Sequence, residues 1–130
     1  MQNLFWIVGL LLFISACTSN ATPLADVDSL PTGDAQRGAE LFTQRINGAP
    51  SCASCHTLTD VQAAGPGLAG YSQRVATRVE GLSALDYTYT SILHPSSYIV
   101  DGYSNLMYQQ FRNKLNNQAL ADIIAYLLTL

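Results

Sequence analysis

Charge is scarce in this chain. Its 130 residues hold six Lys and Arg against nine Asp and Glu, for a net charge of −3. A chain without a basic excess lacks the overall attraction to a phosphate backbone, which argues against nucleic acid as a partner. Histidine occurs twice, as His56 and His94, and cysteine three times, as Cys17, Cys52 and Cys55. A structural zinc site needs about four Cys or His ligands, and few remain here to complete one. Methionine occurs twice, once as the start residue. No segment alternates apolar and polar residues as a half-buried strand does, and no internal repeat is present.

The informative residues are concentrated at Cys52-Ala53-Ser54-Cys55-His56. Two cysteines two residues apart, followed at once by histidine, form the attachment pattern of a covalent c-type haem. Each thiol adds across one haem vinyl group, and the two vinyls are a fixed distance apart. The histidine then lies beneath the iron and supplies the proximal ligand. The expected cofactor is one covalent haem c, held by Cys52 and Cys55 and ligated by His56. A domain of this size has a thin core of its own, and the haem would supply much of the missing apolar interior.

The remaining cysteine, Cys17, ends a hydrophobic leader. Leu4 to Ala16 is a continuous apolar run, shorter than the roughly 20 residues a membrane span requires. Leu12-Phe13-Ile14-Ser15-Ala16-Cys17 reads as a lipobox: an aliphatic residue, small residues, then cysteine. The expectation is a lipoprotein signal peptide over residues 1–16, with Cys17 lipidated. Its n-region, Met1-Gln2-Asn3, lacks the usual Lys or Arg, and an uncleaved marginal anchor is the competing reading. Residues 17–33 then form the lipidated cysteine and a flexible tether, polar and carrying two prolines. Covalent haem attachment is normally made outside the cytoplasm. The expected location is therefore the extracytoplasmic, periplasmic face of a bacterial membrane.

Residues 34–130 read as one helical domain. Asp34 is a candidate N-cap for a helix over 35–46. Gly65-Pro66-Gly67 marks a turn. A short helix is expected over 71–79, stopping near Gly81. Ser83 and Asp86 have capping-box spacing before a helix whose stripe is Leu85, Tyr89 and Ile92, ending before Pro95. Asn116 caps a last helix with Leu120, Ile123, Ile124 and Leu127 on one face. Residues 95–112 read as loop.

The ordered set Gly33-Asp34-Ala35, Gly38, Leu41-Phe42, CASCH, Gly65-Pro66-Gly67-Leu68-Ala69-Gly70, a Met-containing loop and Ala125-Tyr126-Leu127 resembles a class I c-type cytochrome. The resemblance covers about residues 33 to 130. It implies an all-α cytochrome c fold, about four to five helices around one covalent haem. It implies that the first and last helices cross where Gly38 and Phe42 meet Ile123 and Tyr126. It also implies that the carbonyl of Pro66 holds the Nδ1–H of His56 in the second shell of the iron. Met107 matches the distal iron ligand, although Tyr108 stands where proline is usual. His94 is the rival ligand, and a plain core-filling role for Met107 is the third reading. Tyr71, Arg74, Tyr98 and Tyr103 are candidates for the haem propionates.

Tyr87, Ser91-Ile92, Pro95, Tyr98-Ile99-Val100, Gly102-Tyr103 and Leu106-Met107 also resemble the lipid-anchored mono-haem subunits of bacterial quinol:electron-acceptor complexes, such as alternative complex III. Oxidase-fused cytochrome c domains share much of this set. The function implied is that of a membrane-tethered carrier of single electrons in a respiratory or photosynthetic chain, not an enzyme. Its donor would be a quinol-oxidising complex. Its acceptor would be a soluble carrier, a terminal oxidase or a reaction centre. A haem enzyme or gas sensor would need Met107 off the iron. A structural subunit would use the haem only as a fold stabiliser.

Overall fold

The computed structural model describes residues 26–130. The leader over 1–16, Cys17 and the first part of the tether lie outside the described residues. Among the described residues there are four α-helices: α1 Ala35–Thr43, α2 Tyr71–Val75, α3 Ala84–Leu93 and α4 Asn117–Leu127. Three 3-10 turns accompany them, at Val27–Ser29, Cys52–Ser54 and Phe111–Asn113, and among the described residues no strand is formed.

α1 starts where the sequence places it. The Asp34 carboxylate accepts from the backbone N–H groups of Gln36 and Arg37, satisfying two donors that no helical carbonyl can reach. The helix ends three residues earlier than the apolar pattern implies. Asn47 and Gly48 both take positive φ, 49° and 83°, and close a tight turn whose ends pair at Ile46 and Ala49. Asn-Gly is the dipeptide that such turns favour. The Asn47 side chain also donates to the carbonyl of Lys114 at 2.7 Å, tying this turn to the approach to α4.

α4 is buried along Leu120, Ala121, Ile123, Ile124 and Leu127, and α1 crosses it closely. The crossing is possible because residue 38 is glycine. A Cβ there would overlap the backbone carbonyl of Asp122 and lie 2.7 Å from Tyr126 Cβ. One turn further on, the rings of Phe42 and Tyr126 meet edge to face, centroids 5.7 Å apart.

Asp122 lies inside this crossing, 1% exposed. Its carboxylate accepts from Asp34 N–H at 2.8 Å, Arg37 Nε at 2.6 Å and Gln118 Nε2 at 2.8 Å. Burial raises its pKa. The donors from Arg37, Asp34 and Gln118 outweigh that and hold it below the ordinary carboxylate value.

α3 begins with the expected reciprocal cap. Ser83 Oγ accepts from Asp86 N–H at 3.0 Å, and the Asp86 carboxylate accepts from Ser83 N–H at 3.3 Å. Its buried face follows the expected stripe at Ile92 and Tyr89, which packs on the core, but not at Leu85. Leu85 is exposed, whereas Tyr87, Thr88, Ile92 and Leu93 are buried. Thr88 is satisfied inside: its hydroxyl donates to Ala84 O at 2.7 Å and accepts from the Tyr71 hydroxyl at 3.0 Å. α2 is shorter than the expected 71–79, with only turns after Val75.

The last residues of the segment read as tether lie against the domain. Leu30 packs on the core, and the carbonyl of Thr32 accepts from Gln118 at 3.0 Å. Among the described residues no helix is long and apolar enough to cross a membrane.

Candidate functional site: a haem cavity

The four helices leave one deep cleft between them, walled mainly by apolar side chains such as Leu41, Phe42, Leu68, Ile92, Phe111 and Leu127. Cys52, Cys55, His56, Pro66 and Met107 all line it. The five residues named from sequence are thus brought to one cavity from segments up to 55 positions apart (52 to 107).

The cysteine motif is a single tight turn. Cys55 N–H and His56 N–H both donate to the carbonyl of Cys52, at 3.1 and 3.0 Å. Cys52 and Cys55 are half-buried. Before haem is attached, burial pushes the Cys52 thiol up to about 11; with haem attached its sulfur would be a thioether with no proton to lose.

His56 is fixed from below by the following loop. Gly65 N–H donates to Cys55 O at 2.9 Å and Leu68 N–H to Thr57 O at 2.9 Å, which lays residues 65–68 along the motif. Pro66 O then stands 2.9 Å from His56 Nδ1. A carbonyl can only accept, so Nδ1 carries the proton and Nε2 keeps its lone pair for a metal. Gly65 makes room for the ring: a Cβ there would stand 2.5 Å from His56 Cε1 and 2.9 Å from its Nε2.

Met107 is half-buried and packs against the core. Its loop is held without proline at 108. The Tyr108 ring packs edge to face on Phe111, centroids 5.1 Å apart, and Gln109 Nε2 donates to Met107 O at 2.8 Å. His94 does not line the cavity. It is exposed at the end of α3, and its Nε2 accepts from Arg112 at 2.8 Å.

These features fit a covalent haem. The thiol pair sits on one turn, an oriented imidazole follows it, a thioether lines the same space, and the walls are apolar. Among the described residues no group of three or more His, Cys, Asp or Glu is gathered as a metal site, so zinc has no ligand set there. Residues 35–130 match the family profile described as Cytochrome c. The chain belongs to the cytochrome c family. This cytochrome carries covalently attached haem c, one per domain of this size. No curated protein matches the chain.

Of the four residues read as propionate candidates, the cytochrome commits Tyr71 elsewhere. The Thr88 hydroxyl has given its proton to Ala84, so the Tyr71 hydroxyl must donate to Thr88. Burial pushes Tyr71 up to about 12, keeping that proton in place. Tyr98 sets its ring against Tyr87, centroids 5.9 Å apart. Arg74 donates to Gly67 O at 2.7 Å, and Tyr103 lines the cavity. Arg78, not singled out from sequence, lines it as well. The spacing 71, 74, 75, 78 was the available signal, since all four residues face the cavity.

Proposed function

We propose that this cytochrome is a membrane-tethered, single-haem electron carrier with His56 and Met107 as its two axial iron ligands. The bound haem supplies a one-electron Fe(III)/Fe(II) couple. The reading is carried by one observation: an oriented His56 and the only methionine after Met1 line the same apolar cavity, and His94 does not. With His56 and Met107 both holding the iron, no coordination position would stay open for oxygen or peroxide. Little has to move when one electron enters or leaves, which suits outer-sphere transfer.

The residues of the site divide the work. Pro66 holds the His56 imidazole in one tautomer and makes it a more basic ligand. The Met107 thioether favours the ferrous state and raises the potential. The apolar walls act in the same direction by disfavouring net charge.

The tether follows from the lipobox before Cys17. Several acyl chains on one cysteine anchor firmly, at about 0.8 kcal/mol per buried CH₂. The segment after it gives the domain reach to a donor and an acceptor. The donor is a quinol-oxidising complex. The acceptor is an oxidase, a reaction centre or a soluble carrier. In this reading the protein works beside, or as a subunit of, a larger membrane complex such as alternative complex III.

Cys17→Ser tests the anchor. The variant is expected in the soluble fraction with its haem spectrum intact. Mass spectrometry of the mature protein showing Met1 in place and Cys17 unmodified would contradict the tether. Co-purification from the native membrane then names the partner complex.

A further inference from the structure

The charged side chains lining the haem cavity are two arginines, Arg74 and Arg78; no Asp, Glu or Lys among the described residues lines it. A haem brings two propionate carboxylates, and an apolar cavity must offer them cations or donors. Arg74 already gives one N–H to Gly67 O. Arg78 is half-buried, yet among the described residues its side chain makes no hydrogen bond and no ion pair. Its unpaired nitrogens are open to solvent rather than sealed in, so they are free to meet a carboxylate that enters the cavity.

Arg78 also lines a shallower cleft that shares Pro66, Arg74, Val100 and Tyr103 with the haem cavity, so it stands where the two spaces join. The titratable and charged groups around it are Tyr71 and Arg74 from α2, Asp60 from the loop after His56, and Asp101 and Tyr103 from the loop before Met107. Neither aspartate is paired with it.

We infer that Arg78 is the second propionate clamp of this cytochrome, a positioning residue that joins Arg74 and sets the haem potential. The inference rests on the haem-carrier reading above. Arg78 neutralises a carboxylate beside the iron. A positive charge there disfavours Fe(III) relative to Fe(II), so the guanidinium raises the potential. It also keeps its propionate ionised through neutral pH, so the potential stays flat there.

The experiment is a redox titration of the holo-cytochrome against pH, for the unmutated protein, Arg78→Gln and Arg78→Lys, with covalent haem content checked first. Unmutated, the potential is expected to be constant between about pH 5 and pH 8. Arg78→Gln is expected to lower it by roughly a tenfold change in the Fe(III)/Fe(II) ratio, about 59 mV for one electron, and to introduce a slope within that pH range. Arg78→Lys keeps the charge and is expected to recover most of the shift. A loaded Arg78→Gln variant with unchanged potential and no slope overturns the inference. If that variant does not fold, the unmutated protein decides: a slope near one proton per electron between those pH values overturns it, and a flat profile together with a recovered Arg78→Lys potential supports it. Absence of covalent haem from the unmutated protein would instead overturn the carrier reading and this inference with it.

Discussion

Asp122 is the most consequential residue outside the haem cavity. A carboxylate buried in a helix crossing is tolerated because Asp34, Arg37 and Gln118 each supply a donor. Nothing local in the sequence marks it, since Asp34 lies 88 positions away. Its folded pKa is held below the ordinary value of roughly 3.9. Its contribution to stability is therefore complete above that value and is lost as pH falls through the lower folded one. Asp122→Asn should cost about 1–2 kcal/mol at neutral pH, the range of a hydrogen-bonded charge with one partner open to solvent. It should also flatten the acid limb of a plot of melting temperature against pH. Superimposable curves for the variant and the unmutated protein would show that the carboxylate carries no such load. By contrast Cys52, Cys55 and His56 were legible at once, because their chemistry depends on spacing within five consecutive residues.

The helices were legible by their starts more than by their ends or faces. Asp34, Ser83 with Asp86, and Asn116 all cap as the sequence implies, since a cap is a local hydrogen bond to the next turn. The end of α1 was misplaced because the Asn47-Gly48 turn interrupts an apolar run that continues through Ile46. On α3 Ile92 is buried and Tyr89 packs on the core as the stripe implies, but Leu85 is exposed and Tyr87 and Thr88 are buried as well. Tyr87 and Ser91 line the cavity and Thr88 is satisfied by Tyr71 and Ala84, contacts made across the fold. The α1–α4 crossing supplies the test at this scale. Gly38→Ala would ordinarily help an exposed helix by about 1 kcal/mol. Here the added Cβ meets Asp122 backbone and Tyr126, so the net expectation is a loss of about 1–3 kcal/mol from overpacking. Thermal unfolding of the holo-protein reads it. A melting temperature equal to or above that of the unmutated protein would mean that the helices stand further apart at this point.

At the scale of the molecule, four helices enclose a cleft whose walls suit a flat apolar group more than they suit each other. The attachment turn precedes α2, the proline loop holds the imidazole, and the segment between α3 and α4 brings in Met107. Helix order and haem motif were readable in advance because both are written in short segments. Cys52, Cys55, His56, Pro66 and Met107, which line the cavity, were named in advance, whereas the Tyr71–Thr88 bond and the place of Arg78 in the lining arise only from packing across the fold. The central claim is that both axial positions on the iron are taken by this chain. The most direct measurement is the rate at which the reduced holo-protein takes up carbon monoxide, read from its visible spectrum, with Met107→Ala and His94→Ala beside it. Slow uptake by the unmutated protein and by His94→Ala, with rapid uptake by Met107→Ala, is the result expected of a closed electron carrier. Rapid saturation of the unmutated protein would contradict it, because an iron that admits carbon monoxide freely is not capped by Met107.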